Sequence, residues 1–96
     1  MLYRILKTPE YEAWLAREPL KSQVQIEKRV SNIESGGHFG NAKALRNDIW
    51  ELKWHSGRRV YYAYMASTKI LLLIGGNKNG QGYTIAQAEK IFKKYV

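Results

Sequence analysis

The sequence predicts an α+β domain covering residues 1–96, in which an N-terminal strand and a helical hairpin pack on a mainly antiparallel sheet and a C-terminal helix closes the chain. Three observations predict it. Apolar and polar residues alternate over Ile49–Tyr62 on both sides of Ser56-Gly57, the pattern of two strands around a tight turn. The run Lys69-Ile70-Leu71-Leu72-Leu73-Ile74, bounded by Ser67-Thr68 and Gly75-Gly76, predicts a central strand buried on both faces. Apolar stripes of helical period, each with a start signal or a stop signal, lie before and after this region.

Taken in order, Leu2 to Leu6 alternates and predicts a short first strand. Thr8-Pro9-Glu10 then opens a helix: Thr as N-cap, Pro where a missing N–H costs nothing, and an acid at the positive end of the dipole. Tyr11, Trp14 and Leu15 form its stripe, and it must stop before Pro19, which pushes its neighbour out of helical geometry. A second helix from about Leu20 to Glu34 carries Ile26, Val30 and Ile33 and ends at Gly36-Gly37. So short a link makes the two helices an antiparallel hairpin, laid with the last helix on one side of the sheet. Ala42 to Arg46 fits either a short strand or an irregular entry. Asn77 to Tyr83 is a polar, glycine-rich loop, and Thr84 caps a last helix with Ile85, Ala88, Phe92 and Tyr95 as its stripe.

Loop parity can be deduced for the central hairpin. A two-residue loop of Ser56-Gly57 would pair Trp54 with Arg59 and Lys53 with Val60, mixing polar and apolar residues on both faces. A three-residue loop of Ser56 to Arg58 pairs His55 with Arg59, Lys53 with Tyr61 and Leu52 with Tyr62. One face then stays apolar while the other collects Glu51, Lys53, His55 and Arg59. The odd loop is therefore expected, although such loops favour Gly at their last position and here Gly would be central.

Composition bounds the function. The net charge is +8, and it is unevenly spread: residues 1–34 hold six Lys/Arg against five Glu, residues 35–96 ten against three acids. A basic half concentrates polyanions such as RNA or DNA. With no Cys and only His38 and His55, no disulfide framework, thiolate site or structural zinc site is expected. The scattered acids make no magnesium site, and neither a Gly-x-Ser-x-Gly elbow nor a phosphate loop is present. The start is too short and charged for a signal peptide and the longest apolar run too short to cross a membrane, so no membrane partner is expected.

What remains is a cationic face. Lys53, His55, Arg58 and Arg59 cluster on the hairpin, with Lys78, Gln81 and Tyr83 on the segment leaving the neighbouring strand. Metal-free RNA cleavage needs a group to take the 2′-hydroxyl proton, cations to hold the pentacovalent phosphate and a proton for the 5′-oxygen. Arg and Lys suit the second role, and a lysine crowded by other cations gives up its proton more readily. Arg58, Gln81, Lys43 and Arg46 are candidate RNA contacts, and Tyr83 can stack on a base. The structural alternative is that Lys53 and Glu51 form a charge pair, the arginines rim the sheet and the tyrosines are packing.

Ile-Trp-Glu-Leu-Lys-Trp-His-Ser-Gly-Arg-Arg-Val-Tyr-Tyr, then Leu-Leu-Leu-Ile-Gly-Gly-Asn-Lys-x-x-Gln and a terminal Ile-x-x-Ala helix, resembles the RelE/ParE toxin superfamily, and within it the HigB-like branch of addiction-module killer proteins. The early Thr-Pro-Glu-Tyr-x-x-Trp-Leu helix extends the resemblance over nearly the whole chain. The resemblance implies a RelE-like fold and the toxin of a type II toxin–antitoxin system: a cytoplasmic mRNA interferase that cleaves messenger RNA on the ribosome without metal or cofactor. It also implies a cognate antitoxin, a small helix-turn-helix protein, covering the basic face. By the same resemblance Lys53 is the base or phosphate ligand, Arg59 steadies the scissile phosphate, Lys78 is a further cation, Tyr83 stacks on a base, and His55 is an alternative base or acid. Two departures stand out: Glu51 where RelE-type enzymes carry a second strand lysine, and Thr84 where many relatives carry Asp. ParE-like members share the fold yet target DNA gyrase, so gyrase inhibition is an alternative, as is a non-catalytic basic binding module.

Overall fold

The computed structural model describes residues 2–96. Strand β1 (Arg4–Lys7) runs into Thr8, which caps helix α1 (Pro9–Ala16). The Thr8 hydroxyl accepts from the Tyr11 N–H at 3.0 Å and donates to the Leu73 carbonyl at 2.6 Å, so one side chain both starts the helix and pins it to the sheet. Helix α2 (Leu20–Gly36) ends on Gly37, whose φ of +70° is the left-handed C-cap that glycine adopts without strain.

Four further strands follow: β2 (Ala42–Ala44), β3 (Trp50–Lys53), β4 (Arg58–Ala66) and β5 (Lys69–Asn77). A 3-10 turn at Lys78–Gly80 leads into α3 (Gln81–Phe92), and a second at Lys93–Tyr95 ends the described fold. Among the described residues the five strands form one sheet in the order β1-β5-β4-β3-β2, with β1 parallel to β5 and every other pair antiparallel. The undecided segment at Ala42 is thus an edge strand, and β1 starts two residues later than Leu2.

The sheet is buried on both faces, which corrects the expectation of helices on one side. Tyr11, Leu15, Ile26, Val30 and Ile33 of α1 and α2 pack on Leu52, Val60, Tyr62, Ile70 and Leu72. Ala88 and Ile91 of α3 pack on Ile49, Tyr61, Ala63, Leu71 and Leu73 across the opposite face. The reason lies in β4 and β5, where consecutive residues are apolar; both sides of those strands must leave water.

Three other expectations change. Strand β5 continues through Gly75-Gly76 to Asn77 instead of ending at them. Helix α3 begins at Gln81, so Thr84 is an internal residue whose hydroxyl donates to the Gly80 carbonyl at 3.0 Å, and it caps nothing. Its buried stripe includes Ile91, while Tyr95 lies exposed beyond the helix.

The hairpin loop is odd, as the parity argument requires, but it is displaced by one residue. Trp54 N–H donates to the Arg58 carbonyl at 3.1 Å, leaving His55-Ser56-Gly57 as the loop. Lys53 therefore pairs with Arg59 and Leu52 with Val60, not with Tyr61 and Tyr62, and His55 leaves the strand. Gly57 has φ +98° and takes the last loop position, where a three-residue loop needs a left-handed residue. Because the shift keeps the parity, Trp50, Leu52, Val60 and Tyr62 still share one face.

Candidate functional site

Two cross-strand rows on the α3 face build the site. Lys43, Glu51, Tyr61 and Ile74 lie side by side across β2, β3, β4 and β5; one step nearer the hairpin loop, Lys53, Arg59 and Gly76 form the next row. Gly76 matters because a Cβ there would stand 3.0 Å from Thr84 Oγ1: without a side chain, β5 lets the first turn of α3 come down onto the sheet. That approach brings Gln81, whose amide donates to Glu51 Oε2, against the first row.

Glu51 is the organising group. Only 1% exposed, it stands with its Oε2 3.7 Å from Arg59 Nε. A carboxylate so buried needs a counter-charge and donors, and Arg59 and Gln81 supply them. Arg59 Nη1 also donates to the carbonyls of Trp54, at 3.2 Å, and Arg58, at 3.0 Å, which fixes the guanidinium against the end of the hairpin. Burial first, and then the Glu51 charge, push the Tyr61 phenol well above its ordinary range, so its hydroxyl keeps its proton beside the carboxylate.

The remaining candidate residues divide. Lys53, half-buried, stands opposite Arg59. Lys78 N–H donates to the Gly57 carbonyl at 2.8 Å and its side chain runs along the glycine, placing a cation at the hairpin turn. His55 is exposed on that loop. Tyr83 is 73% exposed in the first turn of α3, not in a loop, and its hydroxyl accepts from Gln87. Lys43 is exposed on the edge strand.

Two candidates are engaged elsewhere. Arg58 turns to the helical hairpin, donating to Ser22 at 2.6 Å and to Glu18 and Gln25 at 3.3 Å. It lines, with Trp14, Glu18 and Asn77, a cleft of about 240 Å³. Arg46 pairs with Glu89 at 2.9 Å, tying the loop before β3 to the middle of α3. Sequence reasoning missed Glu51 as the partner of Arg59; the alternation did place both on one face, but distance across strands was needed to join them. No group of three His, Cys, Asp or Glu side chains gathers among the described residues.

With this geometry, residues 13–95 match the profile of the family described as phage-derived protein Gp49-like. The chain belongs to that family. An uncharacterized protein of Haemophilus influenzae is 30% identical to it over 92 residues, 93% of this chain and 92% of the relative. Among solved structures, a mutant of the E. coli toxin RelE in the free state superposes with a TM-score of 0.69 at 19% identity, covering 94% of this chain and 97% of RelE. The RelE–RelB complex of Pyrococcus horikoshii gives 0.66 at 15% identity, covering 81% of this chain and 97% of that one. The intact E. coli RelBE toxin–antitoxin complex gives 0.64 at 16%, covering 78% and 95%. The Gp49-like chain thus has the RelE fold, the fold that the resemblance implied.

Proposed function

We propose that this Gp49-like protein is the toxin of a type II toxin–antitoxin pair and cleaves messenger RNA on the ribosome without a metal. The observation that carries the reading is the Lys53–Arg59 pair, two cations facing each other across β3 and β4 with Lys78 at the turn beside them. In this reading the 2′-oxygen attacks phosphorus and the 5′-oxygen leaves. Arg59, oriented by Glu51 and by the Trp54 and Arg58 carbonyls, stabilises the charge that builds on the phosphate. Lys53 or His55 moves the protons, and Tyr83, exposed at the start of α3, stacks on a base. A cognate antitoxin covers the same basic face in the resting cell, and toxin, ribosome and mRNA meet in the cytoplasm. The fold shared with RelE in the two RelE–RelB complexes supports the pairing with an antitoxin.

A second reading has its own observation. Arg59 is 9% exposed and held by a buried acid, an arrangement that also suits a structural ion pair in a binding module without catalysis. The experiment that separates the two maps the 5′ ends of a defined mRNA in a purified translation reaction, with and without ribosomes. Cuts that need ribosomes and fall in register with codons support the toxin reading. Intact mRNA beside a folded protein supports the binding module.

A further inference from the structure

Arg29 of α2 has no part in the chemistry above, yet its guanidinium is fully engaged with the main chain. Each nitrogen of its guanidinium donates to a main-chain carbonyl: Nε to Phe39 at 2.9 Å, Nη1 to Lys53 at 2.6 Å and Nη2 to Asn41 at 2.7 Å. Its Cζ lies 4.4 Å from the centroid of the Trp54 ring. Among the described residues no carboxylate pairs with it, and burial lowers its pKa from the ordinary arginine value. A planar fork that spans three fixed acceptors holds geometry in a way a single ammonium does not.

Two of those three acceptors converge on Lys53. The Lys53 N–H donates to the Asn41 carbonyl at 2.9 Å, the same oxygen that Arg29 Nη2 holds, and the Lys53 carbonyl is bound by Arg29 directly. Both peptide groups flanking the Lys53 Cα are therefore fixed through one side chain. The next carbonyl, that of Trp54, accepts from Arg59 Nη1 at 3.2 Å and from Gly57 N–H at 3.1 Å. The loop from α2 is shaped to this end: Gly40 has φ +70°, and a Cβ on it would stand 3.2 Å from Arg29 Nη2.

We propose that Arg29 is a positioning residue: by clasping the Phe39, Asn41 and Lys53 carbonyls and stacking on Trp54, it sets the direction in which Lys53 and Arg59 meet the RNA phosphate. The inference rests on the mRNA-cleavage reading for its functional consequence, but the positioning itself is measurable without it. Arg29 touches no reacting atom. Its loss lets the peptide after Lys53 rotate, which misplaces one cation directly and the other through the Trp54 carbonyl.

The test compares the full chain with Arg29→Gln and Arg29→Lys by two measurements. In 15N-labelled protein, the amide signals of residues 39–41, 53 and 54 and the Arg59 Nε–H shift in Arg29→Gln, while those of α1 and α3 stay in place. In single-turnover cleavage on mRNA-programmed ribosomes, the maximal rate falls about 10-fold or more and the half-saturating ribosome concentration stays within about twofold. Arg29→Lys keeps the charge and regains stability but not the rate, because one ammonium cannot span three carbonyls. An unchanged maximal rate in a folded variant overturns the proposal, as does a lost affinity at unchanged rate, which would make Arg29 an RNA contact. Should Arg29→Gln fail to fold, Arg29→Lys decides by the same criteria. If the wild-type chain leaves mRNA intact, the functional reading fails, and unmoved Lys53, Trp54 and Arg59 signals in the variants then overturn the positioning on their own.

Discussion

The Arg59 guanidinium faces a carboxylate buried to 1% exposure: its Nε stands 3.7 Å from Glu51 Oε2 on the neighbouring strand. Glu51, where the resemblance leads one to expect a lysine, is therefore a bound partner for Arg59. Such a pair orients the cation, and it also makes either residue costly to remove alone.

Arg59→Ala is expected to lower ribosome-dependent cleavage by about 100-fold or more. It also lowers stability by about 3 kcal/mol, because Glu51 stays buried without a counter-charge. Adding Glu51→Gln restores most of that stability and none of the cleavage. Urea midpoints and cleavage rates of the single and double variants check both halves; a double variant that cleaves at the wild-type rate removes Arg59 from the chemistry.

Gly75 is where α1 meets the sheet. A Cβ placed on it would fall 2.3 Å from Cε2 and Cζ2 of Trp14, well inside contact distance. Gly75→Ala is expected to cost about 3 kcal/mol by overpacking. Most of the cost disappears when Trp14→Leu makes room, a coupling that a double-mutant cycle in urea measures. Equal costs in the two backgrounds would mean that the close approach to Trp14 is not what excludes a side chain.

The hairpin register depends on Gly57, whose φ of +98° suits no L side chain. Gly57→Ala is expected to destabilise by roughly 1–2 kcal/mol. The displaced Lys78 side chain adds little, because its flexible end can move away. A denaturation midpoint unchanged from wild type would show that the loop tolerates another conformation.

Tyr11, Tyr61 and Tyr62 are buried, and burial is the largest cause raising each phenol well above its ordinary value of about 10. Their folded pKa exceeds the unfolded one, so above pH ~10 the unfolded chain releases protons that the native chain retains. Stability is fully present below pH ~10 and falls as the pH rises toward the folded values, by up to ~1.4 kcal/mol per pH unit for each phenol. Thermal melts from pH 8 to 12 should show this slope. An absorbance titration should show these three of the seven tyrosines ionising only as the protein unfolds. Seven tyrosines ionising freely in the folded state would contradict the burial.

Local signals made much of the fold legible. Thr8-Pro9-Glu10, Pro19 and Gly36-Gly37 marked the ends of α1 and α2 closely, because capping depends on neighbours in sequence. The α3 start was misplaced by the same logic: Thr84 looks like a cap, but Gly76 lets the helix begin a turn earlier against the sheet. The uninterrupted run at Ile70–Ile74 already implied two covered faces, and only the assembled chain identified α3 as the second cover. In the hairpin, alternation fixed the parity, while the register itself turned on the left-handed backbone that Gly57 supplies.

By itself, then, the sequence determined what composition, periodicity and capping can carry: element types, the odd hairpin and the basic half. Tertiary structure alone decided which polar groups meet. Glu51 and Arg59 are eight positions apart and Glu51 and Gln81 thirty, and Arg29 reaches Lys53 across twenty-four. Such contacts depend on strand register and helix docking, and a one-residue slip in either redirects a side chain from one face or partner to another.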